Sequence, residues 1–203
     1  MKFIGIVGTN SDRSTNRKLL QFIQKHFKKK AEIEICEIKD LPPFNEPKNK
    51  IAPKSVQKLA DKIEAADGVI ISTPEYNHSI PAALKSVLEW LSYSVQPFID
   101  KPVMITGASY GVLGSSRAQN HLRQILDAPE LKARIMPSAE FLLGHSLQAF
   151  DDKGNLMDEN KVLELEDIFT EFILFVDITN KLLEEHQIRR PHNIDFSWKD
   201  IIE

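Results

Sequence analysis

Apolar residues follow two alternating rhythms along the chain. Residues 3–7 form a short uninterrupted apolar run closed by Gly8, and after a polar stretch Leu19, Leu20, Ile23 and Phe27 recur at the spacing of one helix face. That order of strand, loop and helix repeats. A strand is expected near residues 32–38, a helix near 54–65 and a buried strand over 69–72. In the next cycle Ala83, Leu84, Val87, Leu88 and Leu91 mark a helix, 103–106 a strand and 118–126 another helix, with a last strand within 139–143. Strands alternating with helices need crossover connections, which make the sheet parallel and place helices on both faces. Five such strands suit an α/β sheet in the order 2-1-3-4-5, with its ligand crevice beyond the C-terminal strand ends. The loops after strands 1, 3 and 4 are therefore expected to converge on one site.

Two segments fall outside this alternation. Residues 41–47 carry Pro42, Pro43 and Pro47, which remove donors and bias their predecessors away from the helical region, so an ordered loop is expected there. After a turn at Asp151, Asp152, Lys153, Gly154 and Asn155 comes a long amphipathic helix carrying Val162, Leu165, Ile168, Phe169, Phe172, Val176 and Leu183. Its apolar face is too wide for an exposed appendage. Residues 189–203 are polar with Phe196, Trp198 and Ile201 interspersed, a pattern suited to packing on the chain's own domain or on a second subunit. One domain over 1–186 and a C-terminal tail over 187–203 are expected.

Composition narrows the function classes. A length of 203 residues fits one hydrophobic core. A net charge of -3 with both signs mixed along the chain offers no clustered basic surface for nucleic acid, and Lys28, Lys29 and Lys30 read as a solvated turn complementing a helix end. Cys36 is the single cysteine, which excludes an intrachain disulfide and a cysteine-type zinc site and makes a reducing cytoplasm the expected location. Within the alternating stretch 32–38 it reads as a strand residue rather than a nucleophile. No apolar run reaches the length of a signal sequence or membrane span.

The first converging loop is Gly8, Thr9, Asn10, Ser11, Asp12, Arg13, Ser14, Thr15, Asn16, running into the first helix. Its hydroxyls, amides and helix N-terminus can hold a phosphate without a glycine-rich motif. Helix capping by Ser14 or Asn16 explains some of the same residues, and the density of donors with Arg13 favours the phosphate. The second loop, Thr73, Pro74, Glu75, Tyr76, Asn77, His78, Ser79, Ile80, Pro81, is bounded by prolines that make a rigid exposed bend able to lie along a flat heterocycle. It is also consistent with an ordinary connection. In the third loop Gly111 and Gly114 permit close ligand approach or positive φ, and Ser109 and Tyr110 can frame a ring edge. None of the three is a Walker loop or a dinucleotide fingerprint.

Together these residues resemble the NADPH-dependent FMN reductase family, a flavodoxin-like group that includes azoreductases, chromate reductases and small quinone reductases. The resemblance rests on Gly8, Thr9, Ser14, Asn16 and Arg17, on Pro74, Glu75, Tyr76, Asn77, Ser79, Pro81, Ala82 and Lys85, and on Ser109, Gly111 and Gly114. It implies a three-layer flavodoxin-like fold and an NAD(P)H-dependent oxidoreductase. It also implies FMN held by its phosphate at Thr9, Ser11, Ser14 and Asn16, with the ring against Pro74, Glu75, Tyr76, Asn77 and the loop Ser109, Tyr110, Gly111 to Gly114. Family members usually carry an arginine where this chain has Ser11, and Arg13 is its candidate substitute. NADPH or NADH would be the reductant, a flavin, quinone or azo compound the acceptor, and a homodimer or homotetramer the assembly.

With FMN bound, no catalytic acid, base or nucleophile is required of the protein, and ping-pong turnover is expected. His78 reads as an exposed loop residue, and no spacing of histidines suggests a metal. The competing readings are a flavodoxin-like electron carrier, disfavoured by the near balance of charge, and a non-catalytic FMN-binding module.

Overall fold

The structure, a computed structural model, describes residues 1–185. In chain order its elements are β1 (Lys2–Val7), α1 (Thr15–His26), β2 (Glu32–Cys36), α2 (Lys54–Glu64), β3 (Gly68–Ser72), α3 (Ala82–Tyr93), β4 (Pro102–Ala108), α4 (Ser116–Leu126), β5 (Arg134–Ile135), β6 (Phe141–Leu143) and α5 (Glu159–Glu185). The strands pair in the order β2-β1-β3-β4-β5, all parallel, as the alternation of the sequence required. The tail expected over 187–203, with its boundary at 186, lies outside the described residues.

One expectation is corrected. The sheet has six strands, because the single last strand is split: β5 pairs with the start of β4, and β6 pairs with its end. The break has a local cause. Pro137 has no N–H to donate to the ladder, and Ser138 follows in the left-handed region at φ 59°.

Every residue of β3 and β4 is buried, and so is all of β1 after Lys2, because helices cover both sheet faces. Val56, Leu59, Leu84, Val87 and Leu122 from α2, α3 and α4 pack with Ile4, Ile6, Ile71, Val103 and Ile105 on one side. Leu19, Ile23, Phe169, Phe172 and Val176 from α1 and α5 pack with Phe3, Ile70, Met104 and Phe141 on the other. The wide apolar face of the last helix is thus part of the core. The proline loop is ordered over α3: Trp90 Nε1 donates to the Pro42 carbonyl at 2.9 Å, and Phe44 sets its edge on Trp90 and Tyr93. Lys28, Lys29 and Lys30 are exposed just beyond α1. Among the described residues, no helix is long and apolar enough to cross a membrane.

Cys36 closes β2 and is buried. Burial pushes its thiol above the ordinary cysteine range, nearby Lys62 opposing this only in part. Little thiolate is then present near neutrality, so iodoacetamide should label the folded protein about tenfold or more slowly than the urea-unfolded chain. Equal labelling rates would mean that the end of β2 opens freely.

Candidate cofactor site

β1 and β3 end level with one another, Val7 beside Ser72, and β4, with Thr106 beside Ser72, runs two residues farther to Ala108. Their following loops leave the same edge of the sheet and enclose a cleft of about 500 Å³. Gly8 is required for this closeness, since a Cβ there would lie 2.7 Å from the Ser72 carbonyl oxygen. Asn16, on the first turn of α1, ties the strand ends from beneath. Its Oδ1 accepts from the Ala108 N–H and the Ser72 hydroxyl, both at 2.9 Å, and its Nδ2 donates to the Ala108 carbonyl at 2.9 Å. Asn16 lines the cleft, but most of its amide capacity is used within the protein.

The first loop is a cap as well as a donor array. Ser14 Oγ accepts from the Arg17 N–H at 3.1 Å and starts α1, which leaves its hydroxyl proton free. Thr9 is fully buried, its Oγ1 accepting from the Ser11 N–H at 3.2 Å and lying 3.4 Å from the Tyr76 hydroxyl. The N–H groups of Thr15 and Asn16 have no acceptor among the described residues, as expected for a helix's first turn. Arg13 lines the same end of the cleft and makes no ion pair among the described residues. Arg17, by contrast, is turned away into Glu37.

The second loop is tighter than its prolines alone implied. Tyr76 and Ser79 exchange both backbone hydrogen bonds, at 2.9 and 3.0 Å, and the two residues between them have positive φ, 50° at Asn77 and 64° at His78. This is a two-residue hairpin turn, and asparagine and histidine are among the residues that tolerate it. Pro74, Glu75 and Tyr76 line the cleft, whereas Asn77 sits exposed at the hairpin tip and does not. The turn leaves the Asn77 side chain exposed. Glu75 spends its carboxylate on the Arg117 N–H at 3.1 Å and on Nη1 at 3.0 Å, which fastens this loop to the start of α4. Pro81 precedes α3 as its N-cap rather than entering its first turn.

In the third loop Ser109, Tyr110 and Gly111 line the cleft and Gly114 does not. A Cβ on Gly111 would meet nothing within 4 Å, so its missing side chain leaves open space in the cleft. Gly114 answers a different need: at φ 55° its Cβ would lie 2.6 to 2.8 Å from the backbone of Leu142 and Leu143. The segment after β6 holds the loop in place, with Ser146 N–H donating to the Ser109 carbonyl and His145 N–H to that of Gly111, both at 3.0 Å.

Four lining residues were not singled out individually, Thr15, Ala108, Val112 and Leu113, although Thr15, Val112 and Leu113 lie within the segments expected to hold the cofactor. Val112 is 71 % exposed and Leu113 45 %, an apolar pair between two glycines with no partner in the core, and that mismatch is a signal the sequence did carry. Thr15 is a different case, since its hydroxyl is buried against Ser146 at 2.8 Å.

The cleft is polarised. Glu75 is matched by Arg117 and Arg17 by Glu37, which leaves Arg13 and the N-terminus of α1 as positive charge uncompensated among the described residues at the first loop. Tyr76, Tyr110, Val112 and Leu113 give the cleft an exposed aromatic and apolar wall, with the Tyr76 hydroxyl 3.4 Å from Thr9 Oγ1 and the Tyr110 hydroxyl donating to the Arg13 carbonyl at 3.4 Å. An anion at the first loop and a flat ring against the aromatic and apolar wall fit this lining, and the volume suits one such molecule.

A sequence profile described as NADPH-dependent FMN reductase matches residues 1–148. The chain is 60 % identical, over 98 % of its own length and 98 % of the relative's, to the Vibrio ruber protein named NADH:(hydroxy)cinnamate reductase subunit CrdA. It is 45 % identical to the NADH-dependent flavin reductase subunit 2 of Lactobacillus johnsonii, over 89 % of this chain and 100 % of that one. Among solved structures it is similar to FerB, a flavoenzyme NAD(P)H:(acceptor) oxidoreductase from Paracoccus denitrificans. The TM-score is 0.73 and the identity 30 %, over 89 % of this chain and 97 % of that one. With its sheet order, its polarised cleft and these relatives, the chain belongs to the NADPH-dependent FMN reductase family and is a flavodoxin-like, NAD(P)H-dependent oxidoreductase that works through FMN.

Proposed function

We propose that the cleft binds FMN with its phosphate at Thr9, Ser11, Arg13, Ser14 and the first amides of α1, and its ring along Pro74, Tyr76 and the segment from Ser109 to Leu113. The observation that carries this reading is the lining of the cleft, which joins a cation and N–H groups without partners among the described residues on the first loop to exposed aromatic and apolar side chains on the other two. Bound FMN supplies the centre that accepts a hydride and passes electrons on. The chain's own residues bind and orient. Arg13 offsets the phosphate charge, Gly111 leaves room for the ring, and the Gly111 N–H, which has no acceptor among the described residues, is available to a ring edge. Glu75 acts through Arg117, keeping the second and third loops at a fixed separation.

NADH is the proposed reductant, as in the names of the Vibrio and Lactobacillus relatives. Both are also named as subunits. Here Tyr76, Tyr110, Val112, Leu113 and Leu147 form an exposed apolar rim at and beside the cleft, of the kind that assembly covers. We therefore place the protein in the cytoplasm as a homodimer, a homotetramer or the electron-entry subunit of a larger reductase. The acceptor is a flavin, quinone or comparable flat oxidant, or the redox group of a partner subunit.

Purified protein should show flavin absorbance that bleaches on anaerobic addition of NADH and returns with quinone or free flavin. Initial velocities should fall on parallel lines. A flavin reduced only through a second protein would make the chain a carrier, and a flavin bound but never reduced would make it a binding module. Light scattering on the eluted protein reads the assembly.

A further inference from the structure

The Arg17 guanidinium is held from two sides. Nε and Nη2 form a two-pronged pair with the Glu37 carboxylate, at 2.5 and 2.8 Å. Nη1 donates to the carbonyls of Ser11 and Asp12, at 2.9 and 3.2 Å. The Arg17 side chain is only 18 % exposed, and its Glu37 partner lies just beyond β2, so α1, the first loop and the neighbouring strand meet at this one side chain. The carboxylate's hydrogen bond raises the guanidinium pKa further, so Arg17 stays charged.

The peptide unit is planar and trans, so a carbonyl and the N–H of the next residue point in opposite directions. Fixing the Ser11 and Asp12 carbonyls on Arg17 therefore turns the N–H groups of Asp12 and Arg13 the other way. Those two N–H groups have no acceptor among the described residues, while Ser11 and Arg13 line the cleft. Two successive free N–H groups on one side of a loop make a concavity suited to an anion.

We propose that Arg17, braced by Glu37, is a positioning residue that presets the first loop for the phosphate of FMN without touching it. A lysine would not replace it, because one ammonium cannot grip a carboxylate with two prongs while donating to two carbonyls on the other side. The inference rests on the phosphate lying at the first loop, and it makes affinity for the phosphate depend on a residue whose charge is spent elsewhere.

Riboflavin, which has the ring and lacks the phosphate, separates this role from general damage. FMN and riboflavin are titrated into the apoprotein by fluorescence quenching, with melting temperatures measured alongside, for wild type, Arg17→Met, Arg17→Lys, Glu37→Gln and the double variant Arg17→Met with Glu37→Gln. Arg17→Met should raise the Kd for FMN about tenfold and that for riboflavin less than about twofold. Arg17→Lys should recover little, Glu37→Gln should give a smaller loss of the same kind, and the double variant should be no worse than Arg17→Met alone. Unchanged FMN affinity in Arg17→Met, or equal losses for FMN and riboflavin, overturns the proposal. Should wild type bind FMN no more tightly than riboflavin, the placement of the phosphate at the first loop fails instead.

Discussion

Asn16→Ala is expected to lower folding stability by about 3 kcal/mol and to raise the Kd for FMN about tenfold or more, the buried tie being lost as a unit. The side chain is 1 % exposed, and its three hydrogen bonds reach the Ala108 N–H, the Ala108 carbonyl and the Ser72 hydroxyl. An apolar replacement strands these partners where water enters with difficulty, and an unsatisfied buried polar group costs about 1 to 3 kcal/mol. The affinity should fall for a geometric reason. Asn16 joins the start of α1 to the ends of β3 and β4, so its loss lets the phosphate end of the cleft drift from the ring end. Asn16→Asp is the more searching variant, since a carboxylate accepts as before but no longer donates to the Ala108 carbonyl. Urea unfolding of the apoprotein with FMN titration in parallel reads both effects, and wild-type values for Asn16→Ala would remove the tie from the account.

Phe169→Ala should cost more stability and leave binding alone. Phe169 is fully buried on α5, stacked on Phe27 at a ring distance of 3.8 Å and edge-on to Phe3 at 6.0 Å. Truncating such a ring removes its burial and leaves a cavity, for about 3 to 5 kcal/mol. Phe3 stands near the start of β1 and Phe27 just past the end of α1, so the cavity opens at the end of the sheet opposite the cleft. The urea midpoint should drop with an unchanged slope, and the protein that remains folded should bind FMN normally. A parallel fall in FMN affinity would mean that the two ends of the sheet are mechanically coupled.

These two sites mark the difference between what pattern and packing each convey. The apolar alternation around Phe169 was readable because a core face repeats every three to four residues, and every such repeat adds to the same signal. Asn16 was also singled out, as a ligand, since an amide on a helix's first turn looks the same whether it reaches a phosphate or a strand end. Its strand partner is Ala108, 92 residues along the chain, whose backbone comes to its amide only once β1, β3 and β4 stand side by side. Glu75 and Gly114 follow the same course. Each was selected for its place in a converging loop, and each is engaged by a distant segment, Arg117 in one case and the Leu142 and Leu143 backbone in the other.

Strand order, the layering of helices and the location of the cleft belong to the sequence alone, because parallel crossovers leave few arrangements for five apolar runs separated by helices. So does the chemistry of the first loop, a set of hydroxyls, amides and one arginine that no core would accept unpaired. Tertiary structure alone divided those residues into ones that face the cleft and ones that hold it open. It broke the last strand at Pro137, turned Asn77 out on a hairpin, committed Arg17 to Glu37 and left Arg13 without an ion pair among the described residues. The physical reason is common to all of these. A polar side chain's partner is set by distance and direction to atoms far along the chain, and neither exists until the sheet has formed.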